Sequence, residues 1–245
     1  MIVECEKCST RLGVDERLIK PSGSRVKCSA CSHIFFIYRP AIIEPETEQE
    51  SDPEKIPMPQ KQNPGTRIFT LTNQKGGVAK TTTCLNLGVS FSLLKKRVLL
   101  IDFDVQASLT TCLGHKNTAS FYDAIHSGNN DIAKVIIKTR YPNISLLPSN
   151  RNMVMLNKKY FSRNRFEYIL KDKLNGVLDQ YDYVLIDTPP SMEFFTVNAL
   201  TAANKVIIPS NCEFLATQGV HQTLNFLKII KERTNAEIDY SILVT

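Results

Sequence analysis

The amino-acid sequence predicts an α/β fold, with a mostly parallel sheet covered by helices on both faces, preceded by a small cysteine-rich domain and a flexible linker. Three observations support this prediction. Short apolar runs alternate with helical patterns after residue 66, two Cys-x-x-Cys pairs occur within residues 1–40, and prolines alternate with acidic residues in between. Continuous apolar strands separated by helices are typical of a parallel sheet that is covered on both sides.

The clustered cysteines predict a zinc site in the first domain. Cys5-x-x-Cys8 and Cys28-x-x-Cys31 match the spacing of a four-cysteine zinc pattern, and four thiolates suit tetrahedral Zn²⁺. Disulfides would fit an exported protein, whereas a redox dithiol would need only one pair. Because nothing at the N-terminus signals export, we expect zinc. With Pro21-Ser22-Gly23 in its middle and Phe35-Phe36 at its close, the segment resembles the small zinc ribbons of various bacterial proteins.

The segment from Pro40 to Gly65 has the composition of a disordered linker. Its prolines remove backbone donors, and its interspersed acidic side chains repel one another, so an extended chain is expected. We therefore divide the sequence into a zinc ribbon (1–40), a flexible linker (41–65) and an α/β domain (66–245).

Composition indicates a cytoplasmic protein. Hydrophobic residues make up 42% of the 245 positions, which is ordinary for a soluble globular chain. The N-terminus lacks a basic stretch followed by an apolar one, and no segment approaches the length needed to span a bilayer. We therefore expect no membrane attachment.

Basic residues far outnumber acidic ones between Lys134 and Lys173, within a chain whose formal net charge is +6. Such a run is usually a solvated surface. The alternative is a patch for non-specific nucleic acid or an acidic partner, in which neutralised phosphates would give a salt-sensitive affinity.

The stretch from Asn73 to Thr83 has the composition of a phosphate-binding loop. It follows a predicted strand and precedes a helix that we predict from Thr81 to Lys95. Gly76 and Gly77 can turn their N–H groups towards an anion, Lys80 can reach the β- and γ-phosphates, and the hydroxyl of residue 81 can ligate Mg²⁺. The plainer alternative is a strand-to-helix turn that contains glycine.

Acidic residues follow two further predicted strands, at the edge where parallel sheets bind ligands. Asp102 and Asp104 could orient a Mg²⁺-bound water and an attacking water, and Asp187 could reach the Mg²⁺ shell. The alternative for the first two is a pair of surface residues that cap the next helix. The predicted strands are Ile68–Thr72, Val98–Ile101, Ile144–Leu147, Tyr183–Ile186, Val206–Ile208 and Ile242–Thr245.

These motifs, in this order, resemble those of the ParA/MinD ATPases. Residues 73–83 resemble the family's deviant Walker A motif, K-G-G-x-G-K-T-T, and residues 102–107 resemble D-x-D-P-Q-G. Residues 187–191 resemble its Walker B segment, and residues 213–219 resemble E-x-x-A-x-x-G. The resemblance implies a P-loop NTPase fold, ATP and Mg²⁺ as cofactors, and an ATP-sandwich dimer.

The resemblance also implies roles for individual residues. Lys75, the signature lysine, would reach the nucleotide of the partner subunit, Lys80 would meet the phosphate charge, and Asp104 would position the hydrolytic water. Thr81 would hold Mg²⁺, with Asp102 and Asp187 acting through water. The implied nucleotide-binding residues are Lys75, Gly76, Gly77, Val78, Ala79, Lys80, Thr81, Thr82, Asp102 and Asp187.

Three positions depart from the family pattern. Ala79 and Ala107 stand where the motifs have glycine, and Val105 replaces proline. If Ala79 needs a positive φ, its Cβ costs roughly 1–2 kcal/mol, which is about ten-fold in affinity. We therefore expect weakened nucleotide binding and weak ATPase activity.

The resemblance covers residues 67–245 and stops at Ile242–Thr245, a strand after which relatives continue. Those relatives carry a further segment that supplies adenine contacts, so we expect either a fragment or a natural short form. We likewise expect no membrane-binding helix of the MinD type.

The sequence favours a Mg²⁺-ATP-dependent dimerisation switch with slow hydrolysis, used in chromosome or plasmid partitioning or in positioning protein cargo. The implied partners are a second copy of the chain, a ParB-like or other protein and, for the basic stretch, non-specific DNA. The runner-up is a non-hydrolysing adaptor whose zinc ribbon binds a partner. A metal-cluster carrier would need a late Cys-x-x-Cys pair, which Cys84, Cys112 and Cys212 do not form; we expect these to be small buried hydrophobes.

Overall fold

The computed structural model describes residues 2–5, 7–15, 24–37, 65–126, 131–161 and 163–245. Apart from Gly65, the predicted linker lies outside the described residues, as does the Pro21-Ser22-Gly23 segment. The chain divides into two compact units, Met1–Pro59 and Gln60–Thr245, each with a hydrophobic core of its own.

Two small hairpins make up the described part of the N-terminal unit. Strand β1 (Ile2–Glu4) pairs antiparallel with β2 (Arg11–Gly13), and β3 (Ser24–Lys27) pairs antiparallel with β4 (Ile34–Ile37). Each hairpin turn carries one of the Cys-x-x-Cys pairs. So small a unit buries little apolar surface, and a metal would supply much of its folding free energy.

A seven-stranded sheet forms the centre of the C-terminal unit. Its strands are β5 (Arg67–Leu71), β6 (Val98–Asp102), β7 (Ile137–Lys138), β8 (Ile144–Leu147), β9 (Tyr183–Asp187), β10 (Lys205–Ser210) and β11 (Asp239–Val244). Their order is β11-β10-β5-β9-β6-β8-β7, and every pair is parallel except β7 with β8. The predicted fold class is confirmed.

Helices cover both faces of this sheet. They are α1 (Lys80–Leu93), α2 (Ser108–Cys112), α3 (Phe121–His126), α4 (Val154–Tyr160), α5 (Ile169–Leu174), α6 (Phe194–Ala202) and α7 (Phe214–Arg233). Along β6, Leu99 and Ile101 belong to one buried cluster with Phe194 of α6, whereas Val98 and Leu100 belong to another with α1. Because strand side chains alternate between faces, these two clusters lie on opposite sides of the sheet. Within the described ranges, no helix combines the length and apolarity needed to cross a bilayer.

All six strands predicted in the α/β domain are present, with ends that differ by a few residues. Strand β7 was not predicted, because it has only two residues and the second, Lys138, is charged and exposed. The first helix was predicted to continue to Lys95, but α1 ends at Leu93, and Leu94 just beyond it is 68% exposed. Cys84 is buried as expected, but Cys112 and Cys212 are exposed. Cys112 ends the short α2, whose buried positions are Leu109 and Thr110. Cys212 lies in the loop after β10.

The strands that carry the three motifs are neighbours in the sheet, in the order β5, β9, β6. Parallel pairing brings their carboxyl ends to the same edge. Asp102, the last residue of β6, is in register with Asp187, the last residue of β9. Two carboxylates and the loop after β5 therefore meet at one place, as ligand sites in open α/β sheets do.

Candidate functional site

The loop between β5 and α1 presents unsatisfied backbone donors at the start of a helix. Among the described residues, the N–H groups of Gly76, Gly77, Val78 and Ala79 find no hydrogen-bond acceptor. Gly77 has φ +74°, which turns the chain here, and the Val78 side chain is fully buried beneath the loop. Free N–H groups and the positive end of the helix dipole make this a binding place for an anion such as phosphate.

Lys80, the first residue of α1, holds the loop in shape. Its Nζ donates hydrogen bonds to the carbonyl oxygens of Asn73 (3.2 Å) and Lys75 (3.1 Å). Burial lowers the pKa of Lys80, although the carboxylates of Asp187 and Asp104 raise it in part. An ammonium group in so little water is attracted strongly to a negative ligand, because few waters screen it.

Ala79 adopts the left-handed conformation that the family's glycine would adopt without strain. Its φ is +61° and its ψ is 28°, directly before the first residue of α1. Ala107 has the same geometry before α2, with φ +52° and ψ 37°. Both alanines that replace a motif glycine are therefore in the backbone region that costs a residue with a Cβ roughly 1–2 kcal/mol.

Lys75 is bound to its own subunit. Its Nζ lies 2.7 Å from Glu213 Oε2, and its N–H donates to Asn73 Oδ1 at 2.9 Å. Gly219 lets α7 approach this closely, since a Cβ there would lie 2.7 Å from Asn73 Oδ1. Lys75 was expected to bind a partner's nucleotide, and in this structure it forms an intramolecular ion pair at the surface.

Asp187 is a buried carboxylate with one oxygen left over. Its Oδ2 accepts a hydrogen bond from the Thr81 hydroxyl at 2.6 Å, while Oδ1, also buried, has no partner among the described residues. Burial raises the pKa of Asp187 to about 7, and the nearby Asp102 and Asp104 add to that rise.

Asp102 is equally buried but fully engaged. Its Oδ2 accepts hydrogen bonds from the N–H (2.7 Å) and the hydroxyl (2.6 Å) of Thr110. Burial raises its pKa to about 6, although the donors from Thr110 act in the opposite direction. Asp102 therefore anchors the loop that follows β6.

Asp104 is half-buried at the turn between β6 and α2. Its Oδ1 accepts the Gln106 N–H at 3.0 Å, and its carbonyl oxygen accepts the Ser149 hydroxyl at 2.5 Å. The first contact is a local turn of the kind that aspartates make. The second contact ties Asp104 to the loop that follows β8. The helix-capping alternative is partly realised at Asp102 instead, whose Oδ2 accepts the Thr110 N–H in the first turn of α2.

The residues at this edge fit a hard divalent cation. Oxygen ligands suit Mg²⁺, and the site offers the unpartnered Asp187 Oδ1, the Thr81 hydroxyl and the neighbouring Asp102. A cation would stabilise the ionised carboxylate whose pKa burial has raised. Thr82, the remaining nucleotide contact implied by the sequence, is exposed one position further along α1.

The two hairpin turns of the N-terminal unit bring the four predicted zinc ligands together. The Sγ atoms of Cys5, Cys8, Cys28 and Cys31 all lie within 4.8 Å of one another. The turns are alike: the N–H of residue 9 donates to Cys5 O at 2.8 Å, and that of residue 32 donates to Cys28 O at 2.9 Å. Hydrogen bonds from Thr10 lower the pKa of Cys8 to about 6. The cluster has the donor set of a structural zinc site.

Sequence reasoning missed several supporting residues. Asn73 joins the loop to β10 through a hydrogen bond from its amide to Pro209 O at 2.8 Å. Ser149 and Thr110 connect both acidic residues of the second motif, as the N–H of Ser149 donates to Thr110 Oγ1 at 3.0 Å. Asn73 and Ser149 closely follow predicted strands, but polar residues are common at such positions in loops, so nothing in the sequence singled them out.

Two family profiles match the chain. One, described as an AAA domain, covers residues 66–240, and the other, described as a zinc-ribbon domain, covers residues 1–36. Soj of Bacillus subtilis, a sporulation initiation inhibitor protein, is 36% identical over 175 residues, which are 70% of this chain and 69% of Soj. The chromosome partitioning protein ParA of Caulobacter vibrioides is 35% identical over 178 residues, 71% of this chain and 66% of ParA.

A solved structure agrees with these relatives. Cobyrinic acid a,c-diamide synthase from Mycobacterium smegmatis, with bound ATP analogue and magnesium, superposes with a TM-score of 0.69 at 36% identity, covering 73% of this chain and 74% of that one. The chain spans about two thirds of the length of the curated relatives it matches. By motifs, fold and similarity, the chain belongs to the ParA/Soj family of P-loop ATPases and carries an N-terminal zinc ribbon.

Proposed function

We propose that the C-terminal unit binds Mg²⁺-ATP and that ATP binding joins two copies of the chain into a dimer that slow hydrolysis separates. One observation carries this proposal: four free N–H groups, the Lys80 ammonium and the Asp187 carboxylate converge at the ends of three adjacent strands. The Mycobacterium smegmatis relative was solved with an ATP analogue and magnesium bound.

The chain's own residues divide the work. The loop N–H groups and Lys80 bind the phosphates, and Thr81 and Asp187 hold the cation beside them. When bound, Mg²⁺ would neutralise phosphate charge as the terminal phosphoryl group leaves. Asp104 would orient the attacking water. Because this chemistry depends mainly on positioning and charge stabilisation, small shifts of the loop change its rate strongly.

Lys75 would make nucleotide binding depend on a second copy of the chain. Its ammonium is at the surface, beside the loop, and is held by the exposed carboxylate of Glu213. On dimerisation it would exchange this contact for the nucleotide of the other subunit. Chromosome or plasmid partitioning, or positioning of protein cargo, is the role that the names of the relatives support.

A second candidate rests on Ala79. The left-handed backbone of this residue is directly beside the predicted phosphate position. If the strain has weakened nucleotide binding enough, the protein would be an adaptor that presents its zinc ribbon to a partner and does not hydrolyse ATP.

Equilibrium binding of a fluorescent ATP analogue with Mg²⁺ distinguishes the two. The switch predicts that wild type binds and that Lys80→Ala does not. The adaptor predicts that wild type fails and Ala79→Gly binds. An exposed lysine on α7, changed in Lys228→Ala, is the control that should bind like wild type.

A further inference from the structure

Most of the E-x-x-A-x-x-G segment, residues 213–219, has no part in the proposed function. The segment opens α7, and its motif residues recur at every third position. Ala216, Gly219 and, one turn further on, Thr223 are buried, whereas the two positions after Ala216 are exposed. Because residues three and four apart lie on the same side of a helix, the motif marks the face of α7 that is turned into the protein.

This face of α7 packs against the phosphate-binding loop. A Cβ at Gly219 would lie 2.7 Å from Asn73 Oδ1 and 3.1 Å from Lys75 Cβ. The first distance is shorter than a Cβ tolerates, so a side chain here would push the loop away from the helix. The buried Thr223 Oγ1 accepts the N–H of Gln74 at 3.4 Å. The helix therefore supports three consecutive residues of the loop.

Asn73 makes the central contact between the helix and the loop. Its side chain is fully buried, and both ends of its amide are used. Nδ2 donates to Pro209 O at 2.8 Å, and Oδ1 accepts the N–H of Lys75 at 2.9 Å. An amide supplies a donor and an acceptor on one short side chain, which an apolar or acidic side chain of this size does not. Asn73 thereby fixes the backbone of Lys75 relative to β10.

The placement of both loop lysines depends on this backbone. Lys80 Nζ donates to the carbonyl oxygens of Asn73 and Lys75, at 3.2 and 3.1 Å, so a shift of the loop moves both acceptors. The N–H of Lys75 is engaged by Asn73, whereas those of residues 76–79 have no acceptor within the described ranges. Asn73 thus ends the anchored part of the loop where the anion-binding part begins.

We propose that Asn73 and Gly219 are positioning residues for the phosphate site. Gly219 lets α7 hold Asn73 in place, and Asn73 sets the backbone from which Lys75 and the acceptors of Lys80 are placed. Each residue acts through the two lysines and not on the ligand itself. This proposal rests on the proposed function, to which it adds a role for the motif on α7.

A double-mutant cycle measures this role as the affinity for a fluorescent ATP analogue with Mg²⁺, at a temperature at which melting curves show every variant to be folded. Gly219→Ala should bind about ten-fold more weakly or worse, because binding depends on the exact placement of the loop. Asn73→Ala should also bind more weakly, since it loses both side-chain hydrogen bonds. In the Asn73→Ala background, Gly219→Ala should cost less than about two-fold, because the oxygen that its Cβ would strike is gone. Equal costs in the two backgrounds would overturn the proposal.

Gly88 provides the matched control. It is buried within α1, and a Cβ there would lie 2.8 Å from Leu100 Cδ2. Alanine gains helix propensity at both glycines, so the two substitutions differ mainly in what the added Cβ meets. Gly88→Ala should change the melting temperature and leave the affinity for the analogue at its wild-type value. Equal weakening by Gly88→Ala and Gly219→Ala, at equal loss of stability, would show that stability alone is responsible.

Dimerisation gives a readout for Lys75. With the analogue saturating, Asn73→Ala should need a several-fold higher protein concentration to dimerise, because the backbone of Lys75 has lost its anchor. Unchanged dimerisation, measured by sedimentation velocity, would refute the effect of Asn73 on Lys75.

Failure of the proposed function has a different signature. If wild type binds no analogue, the proposed function fails and the positioning role fails with it. The contact between Asn73 and Gly219 is then decided by melting alone. Gly219→Ala should lower the melting temperature less in the Asn73→Ala background than in wild type, and equal losses would refute the contact as well.

Discussion

Lys75 and Glu213 form an ion pair in which Nζ and Oε2 are 2.7 Å apart, joining the phosphate-binding loop to the start of α7. Glu213 therefore competes with a partner's nucleotide for Lys75, because the same ammonium cannot bind both at once. The hydrogen bond from Lys75 also lowers the pKa of Glu213, so the pair is intact at neutral pH.

Removing this competition should favour the dimer. We expect Glu213→Gln to lower the protein concentration needed for dimerisation with a non-hydrolysable ATP analogue, by about two- to five-fold, as befits an exposed ion pair. Sedimentation velocity measures the change. Glu232→Gln, an exposed carboxylate near the other end of α7, is the matched control. Weaker dimerisation in Glu213→Gln would show that the glutamate supports the dimer instead.

Relief of backbone strain at Ala79 should be visible in stability. Ala79→Gly removes a Cβ from a residue with φ +61° and so relieves backbone strain. The strain relieved exceeds the extra conformational entropy that glycine loses on folding, so the free energy of unfolding should rise by about 1 kcal/mol at most. Thermal melting should therefore shift upward by roughly 2–4 °C.

Ala107→Gly is the matched comparison, since Ala107 has φ +52° in the second motif. We expect both variants to be more stable than wild type, but only Ala79→Gly to bind a fluorescent ATP analogue more tightly, because only its backbone borders the predicted phosphate position. A gain in affinity that is equal in the two variants would contradict this assignment.

The buried Asp187 should make stability depend on pH. Burial raises the pKa of Asp187 to about 7. At pH values between the ordinary aspartate pKa and this value, Asp187 is protonated in the folded state but ionised in the unfolded state. The free energy of unfolding should therefore fall as pH rises from about 4 to about 7, by a few kcal/mol at most. Urea unfolding without added magnesium measures this slope. Asp187→Asn should be flatter than wild type over the same range, and an identical slope would exclude Asp187 as its source.

Zinc should be bound by the N-terminal unit alone. We expect about one zinc ion per chain, and loss of it in Cys28→Ser, because three thiolates hold the metal far less tightly. Metal analysis after gel filtration measures the content. Cys212→Ser, at an exposed cysteine outside the cluster, should keep the zinc. A chain that retains zinc without Cys28 would contradict the four-cysteine site.

Much of this architecture could be predicted from short-range patterns. Apolar runs located the strands. Asp102 and Asp187 directly follow two of the predicted strands and Lys80 opens the predicted helix, and parallel pairing brings all three to one edge of the sheet. The family motif has glycine at position 79, which raised the possibility that Ala79 has a positive φ. The structure gives Ala79 a φ of +61°.

Contacts between distant loops could not be predicted. Lys75 and Glu213 are 138 positions apart, and Asp104 and Ser149 are 45 apart. No periodicity links such residues, since each pair depends on the path of a loop after its strand has ended. The exposure of Cys112 and Cys212 was missed for a related reason. Cysteine is usually buried, but Cys112 lies on the solvent-facing side of the short α2 and Cys212 lies in a surface loop.

Asp102 and Asp187 lie in register at the ends of β6 and β9. Burial raises the pKa of Asp102 to about 6 and that of Asp187 to about 7, so we expect the pair to retain part of a proton near neutral pH. A divalent cation must displace it, so loading the site should acidify a weakly buffered solution and should grow more favourable as the surroundings become alkaline. Nucleotide loading by this chain would then be readable with a pH indicator, without a label on any component.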